Sequence, residues 1–374
     1  MEIMYLSTIL TSHKIRKSFG SFLFCQESNI LLVNNTQGGF CMEDIYWNNK
    51  EEMLKFVQQD EGNIRFVSKE LRNDKDVVMP AVRNNGMALG YASENLRNNK
   101  DVVLTALQQN GNALKFASEQ LRNDKEVVMT AVHQAGTALQ FAPEKLRNDK
   151  EVVLQAIKNN GWTLQFASKD LCDDKEVILA AIQQDGEILK YASERLANDR
   201  DVVMVAIQQS GYNLTYASEK LRNDKDIVMT AIQKNALALR YASKELRNNK
   251  DIVMAAIQQT GLALESASDE LCNDKDIVIH AVHQAGTALM YASKELRDNK
   301  EIVLVALQES PDAFCYTSPR LQQDPDIRKA AGMKPDINRE QEKPDTDTVL
   351  GDAKKWCQEH NDTPTAQPKL NIER

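Results

Sequence analysis

No stretch of this 374-residue chain approaches the roughly 20 consecutive apolar residues that a membrane-spanning helix needs. Residues 1–10 are apolar but have no basic leader region, and they run into Ser12-His13-Lys14-Ile15-Arg16-Lys17, which makes a poor secretory signal. The chain is therefore expected to be soluble and cytoplasmic. A positive excess is lacking as well: 46 Lys and Arg stand against 54 Asp and Glu, for a net charge of -8 and a pI near 5.4. That balance counts against binding nucleic acid through its phosphates and against docking on anionic lipid. Cysteine is sparse, six in all with no paired motif, and reads as free thiols in a reducing compartment. No glycine-rich loop is present to cradle a phosphate, because the glycines of the main part of the chain come singly. Of nine prolines, four (Pro335, Pro344, Pro364, Pro368) fall in residues 333–374, which are charged and poor in apolar residues. That segment reads as a disordered tail, with one short helix from Val349 to His360 around Trp356.

What the chain does have is a period. Leu71, Leu96, Leu121, Leu146, Leu171, Leu196, Leu221, Leu246, Leu271, Leu296 and Leu321 follow one another at an unbroken spacing of 25 residues. A fixed period of this length means one supersecondary unit stacked on copies of itself. Residues 46–332 hold the repeats, 1–45 do not repeat, and 333–374 are the tail. Despite its length, the repeated part is expected to form one elongated domain.

Within each unit the local signals agree. The column of Asp74 is Asp or Asn in all eleven copies, the preferred helix N-cap types. The next column is Lys or Arg except for Pro325, which suits a first helical position, and the one after is always Asp or Glu, where the helix dipole favours an anion. The column of Gly86 is glycine in eight of ten copies, with Ala236 and Pro311 as exceptions, and is read as the stop of the main helix. Placed on a wheel, Val77, Val78, Met79, Ala81 and Val82 spread over an apolar arc too wide for a helix resting on one neighbour. The arc fits a helix held between the preceding and following copies. Alanine fills the Ala81 column eleven times out of eleven, marking the place of closest backbone approach. After the glycine comes a short helix such as Ala88 to Ala92, followed by a 3₁₀-like turn into the next leucine. Pro80, inside the first full copy's main helix, is expected to kink it. The fold class expected is all-α, a right-handed α-solenoid of about ten 25-residue repeats.

The pattern Leu-Arg-Asn-Asp-Lys-Glu-Val-Val, then Ala-Val, Gly, Ala-Leu and Phe-Ala at residues 121–142 resembles the repeat described as domain of unknown function 4116. The match recurs through residues 71–320. The resemblance implies intracellular repeat proteins, often of host-associated bacteria and of protists, with an interaction or effector role and no assigned activity. In style, the short helix pairs are also similar to leucine-rich-variant and other α-solenoid repeats, a likeness of fold alone.

Chemistry in such an array needs residues that the other copies lack. His280 and His283 lie three apart on one helix, and His133 shares the column of His283, but nothing nearby supplies a third ligand, so no metal is expected. Ser93, Ser118, Ser168 and Ser193 recur as turn residues, the mark of scaffold and not of a nucleophile. No catalytic residue, no cofactor and no enzymatic activity is expected. The Arg column (Arg72, Arg97, Arg122, Arg147, Arg222, Arg247, Arg297) and the Lys column together make a basic ladder. Flanking acidic columns cancel its charge within each unit, and exposed pairs of this kind contribute little.

One column is diverse: Met87, Asn112, Thr137, Trp162, Glu187, Tyr212, Leu237, Leu262, Thr287, Asp312. If it lines one edge of the array, Trp162, Tyr212, Leu237 and Leu262 form an apolar stripe suited to a protein or peptide partner. The alternative is that each packs locally over its own short helix. Columns 80, 83, 84, 87 and 90 and their equivalents carry the variable surface. The function expected is a non-enzymatic protein-interaction scaffold. Its alternatives are a secreted effector that engages a host protein, and a nucleic-acid-binding solenoid, which the acidic charge disfavours.

Overall fold

The computed structural model describes residues 18–19, 22–25 and 30–33, residues 50–333, and residues 351 and 354–358. The first three segments pair as a small antiparallel meander, Phe22–Cys25 between Ser18–Phe19 and Ile30–Val33. The pairing runs in register from Phe22 opposite Val33 to Cys25 opposite Ile30. The other described elements are helices joined by short turns, and the repeats form an all-α array as their period implies. The single elongated domain expected from the period divides, by its contacts, into two compact units, 1–181 and 182–374, and each is described by itself.

Each repeat carries a main helix, most often of ten residues, such as Lys125–Gln134. Its N-cap satisfies amides that the helix cannot: Asp124 Oδ1 accepts from the amides of Glu126 at 2.9 Å and Val127 at 3.4 Å. Val127, Val128, Ala131 and Val132 are buried, and the same four positions are buried in the first full copy (Val77, Val78, Ala81, Val82). A fully buried valine or leucine contributes about 1.5–3 kcal/mol against leaving it in water. The main helix ends on an extended residue, Asn85 at φ -142° and ψ 109°, which then caps a six-residue 3₁₀ helix, Gly86–Tyr91. A single turn follows, Glu94–Arg97, capped by Ser93. The expected order of a short helix and then a 3₁₀ turn is thus reversed in most copies. The 3₁₀ helix comes first, because the Asx cap of residue 85 already closes a tight turn onto Met87 at 2.9 Å. Only Leu71–Asn73, Leu171–Asp173 and Leu321–Gln323 make the second element 3₁₀. The main helix runs unbroken from Lys75 to Asn84 through Pro80.

The glycine column does something other than stop the helix. Among the described residues only Gly332 has a positive φ, so the repeated glycines are not left-handed caps. They are needed for a close approach. A Cβ on Gly111 would lie 2.2 Å from the carbonyl oxygen of Ala131 in the next copy, and one on Gly211 would lie 2.2 Å from that of Ala231. The invariant alanines and the glycines that face them are therefore two halves of one contact, and Ala236, the buried exception, begins a 3₁₀ helix that meets the shorter main helix Lys250–Ile257. The last copy escapes it: Pro311 is exposed, and the facing helix Pro325–Ala330 ends before Ala331 arrives.

Polar bonds between neighbouring copies complete the stack. In unit 2 the amide of Ser218 donates to Ala197 O at 2.9 Å and its Oγ donates to Asn198 Oδ1 at 2.7 Å. The same pair of bonds joins Ser243 to Arg222 and Asn223, and in unit 1 Ser118 to Arg97 and Asn98. Where Pro143 replaces the serine, Asn123 turns its amide to Glu119 O instead. Side-chain amides add a second link, since Asn159 donates to Val132 O at 2.7 Å and Gln209 to Ile182 O at 2.7 Å, each capping the C-terminal end of the preceding main helix.

Candidate functional site

The basic ladder is consumed by structure, though not within each unit as its sequence neighbours imply. Lys100 Nζ reaches into the next copy, 2.8 Å from Asp124 and 2.7 Å from Glu126. Lys125 meets Asp149 and Glu151, Lys150 meets Asp174 and Glu176, and in unit 2 Arg200 meets Asp224 and Asp226. The lysine hydrogen bond holds the carboxyls of Asp124, Asp174 and Asp274 below their ordinary value of 3.8. Pro325 closes the ladder, because Lys300 has already taken Asp324 and Asp326.

The arginine column points inward. Arg72 donates from Nε to Val67 O and from Nη2 to Arg65 O, both at 2.7 Å, capping the C-terminal end of a 3₁₀ helix. In Arg97, Arg122, Arg147, Arg222, Arg247 and Arg297 the Nε is out of solvent reach. Cys172 and Cys272 stand in the same column and turn their thiols to Leu164 O and Leu264 O. Burial, with a smaller push from Asp269, raises the Cys272 thiol to about 11, so it stays protonated and is a poor nucleophile near neutrality. The two histidines do not converge. His280 Nδ1 lies 2.8 Å from its own helix's Asp276 O, while His283 Nδ1 lies 3.5 Å from Glu309 in the next copy. Among the described residues no three His, Cys, Asp or Glu are grouped to share an ion.

What remains is the layer of 3₁₀ helices, each in contact with the next inside its own unit. In unit 2 this layer runs through Gly186–Tyr191, Gly211–Tyr216, Ala236–Tyr241, Gly261–Ser266, Gly286–Tyr291 and Pro311–Tyr316. Tyr212, Leu237 and Leu262 all occupy the second position of their 3₁₀ helices. Tyr212 and Leu237 are half-buried, whereas Leu262 is 37% exposed. Tyr212 meets Tyr241 of the following copy edge to face, with centroids 6.1 Å apart. Trp162 holds the same position in unit 1, half-buried, its amide bonded to Asn160 Oδ1 at 3.0 Å. Of these four, Tyr212 thus rests on a ring of the following copy, and Leu262 presents the most surface.

A second column, at the end of the 3₁₀ helix, also reaches the surface. An aromatic ends every 3₁₀ helix of the unit 2 layer except Gly261–Ser266; Tyr191, Tyr216, Tyr241, Tyr291 and Tyr316 are half-exposed, and Tyr91 in unit 1 is 41% exposed. Cations from the preceding position lie over these rings: Lys115 over Phe116 at 4.7 Å, Lys190 over Tyr191 at 5.3 Å and Arg240 over Tyr241 at 5.7 Å. Glu187 joins the group, accepting from Lys190 at 3.2 Å and from the Tyr216 hydroxyl at 3.3 Å. Burial first and the Glu187 charge second raise the Tyr216 phenol, which therefore stays a neutral donor. Met290, 41% exposed, continues the same row. The sequence signal was present: a column that is Tyr or Phe in nine of ten copies, with Ser266 as the exception, next to one that varies freely, is what a half-buried edge requires.

At the end of unit 2 the face is occupied. Cys315, fifth in its 3₁₀ helix, is joined to Cys357, and Phe314 meets Trp356 edge to face at 5.5 Å. This corrects the expectation of six unpaired thiols. It also settles part of the tail, where residues 351 and 354–358 are helical as the Val349–His360 reading expected; the rest of 334–374 lies outside the described residues. The clue was Phe314, next to Cys315, which breaks an otherwise all-leucine column.

A family model described as Domain of unknown function (DUF4116) matches the chain ten times in overlapping frames, beginning at residues 49–97 and ending at 274–322. Comparison with curated proteins and with solved structures gives no match.

Proposed function

The chain belongs to the DUF4116 family, and from that premise we propose that it is a non-enzymatic scaffold whose 3₁₀ face receives a protein or peptide partner. One observation carries this reading. The columns that repeat are spent on bonds between copies, while the second position of successive 3₁₀ helices changes from Glu187 to Tyr212, Leu237 and Leu262 and keeps part of its surface. Varied side chains on an invariant frame are how repeat arrays distinguish partners. Aromatic rings and leucines supply the apolar centre of such a contact, and Lys190, Arg240 and Glu187 supply polar positions around it.

The test places a photo-crosslinking residue at Leu262 in the full chain, with a control at the exposed Glu245 of a short helix. A protein captured from the native cell at position 262, not at 245, and lost on Tyr212→Ala with the melting temperature retained, supports the reading. Equal capture from both positions, or capture indifferent to Tyr212→Ala, overturns it.

A further inference from the structure

We infer that the C-terminal helix around Trp356 is a removable cap on the last copy of the 3₁₀ face, latched by thiol–disulfide exchange between Cys315 and Cys357. Cys315 stands at the fifth position of its 3₁₀ helix, where other copies carry Lys190, Arg240 and the exposed Met290. Whatever is bonded to Cys315 therefore lies on that face. Beside the bond, the Trp356 indole rests on the buried ring of Phe314. Phe314 replaces the leucine of every other copy, so this aromatic contact exists only where the helix docks.

The cap answers a need of the fold. An interior 3₁₀ helix is covered by the next copy, and the glycine at its start is buried against that copy. The 3₁₀ helix 311–316 is the last of the array, and Pro311 at its start is exposed. Terminal repeats need a covering element of this kind. Here the cover is a segment of five described residues, Lys354 to Gln358, too short to hold its helix without tertiary contacts. An aromatic contact and a covalent bond that spans 42 residues help to attach it. Cutting the bond restores the loop-closure entropy that it had removed.

The exchange balances with a thiol reductant. Two reductant thiols become one reductant disulfide, the Cys315–Cys357 bond breaks, and each cysteine sulfur leaves with one proton. A low-molecular-weight disulfide runs the step backwards. Release uncovers the outer side of the last 3₁₀ helix. That this copy then becomes open to a partner rests on the function proposed above; the latch itself does not.

The test uses the full chain and no partner. Protein equilibrated with oxidised glutathione, and a second sample treated with dithiothreitol, are each alkylated and mapped by mass spectrometry, then compared by hydrogen–deuterium exchange. Expected are protection of Cys315 and Cys357 from alkylation only in the oxidised sample, and amide exchange in 354–358 that rises at least about tenfold on reduction while the main helix 300–309 stays protected. Phe314→Leu, which restores the residue of the other copies, should raise that exchange again in the reduced sample and leave the oxidised one nearly unchanged. Alkylation of both cysteines in the oxidised sample overturns the inference. So does unchanged exchange in 354–358 once reduction is shown to be complete. Failure of the photo-crosslinking experiment with this result intact would remove the partner and leave the latch.

Discussion

The Ala81 column holds alanine in eleven copies, whereas the Met87 column, six residues further on, holds eight residue types in ten copies. The contrast follows from what each position faces. The main-helix alanine presents its carbonyl to a glycine of the preceding 3₁₀ helix, so near that a single methyl on the glycine would overlap it. The second residue of the 3₁₀ helix is not fully buried in any copy, so Trp, Tyr, Leu, Thr or Glu all fit. Constancy in this chain marks inter-copy contact, and variation marks free surface. The lysine column, which looks most like chemistry, belongs to the first kind, whereas Arg147 and Arg247 turn inward onto carbonyls of their own copies.

Gly211→Ala is the sharpest way to break the contrast. It should destabilise the array by about 1–3 kcal/mol or more, because the Ala231 carbonyl cannot retreat from a packed helix. Urea denaturation would measure it, and Pro311→Gly at the uncovered end should cost far less. Ser243→Ala should cost about 1 kcal/mol, since it removes both the cap on Leu246 and the bond to Asn223. Leu237→Ala should cost no more than about 1–2 kcal/mol, as its side chain is partly exposed, while the photo-crosslinked product from position 262 disappears. A loss comparable to Gly211→Ala would show the column to be core.

Acid should have the gentlest effect. Asp124, Asp174 and Asp274 titrate below 3.8 in the folded chain because each accepts a lysine hydrogen bond. A lowered folded value means that their stabilisation is fully present above the unfolded value near 3.8 and is lost as pH falls through the folded value. The melting temperature should therefore be flat from pH 7 down to about 5 and decline below about 4. Lys100→Gln should flatten part of that decline. A decline unchanged by this substitution would mean that the ladder is electrostatically idle.

Much of the fold was legible because its signals are local and repeated. Asp124 caps its own helix two and three residues away, and the 25-residue frame shows the same cap in every copy. The variable column was legible for the same reason, since comparing the copies picks out Trp162, Tyr212, Leu237 and Leu262 without any structure. The degree of exposure was not, because Tyr212 is half-buried through Tyr241, whose ring arrives from another copy.

The sequence alone thus determined the period, the helical class of the repeats and the N-caps of the main helices, because each copy restates signals carried by residues within one turn of each other. Tertiary structure alone decided that Lys100 pairs with the next copy and not with its own acidic neighbours. It decided too that the glycines serve a contact between copies, and that Cys315 finds Cys357 across 42 residues. These depend on where one copy's backbone lies against another's, a distance in space that no spacing along the chain contains.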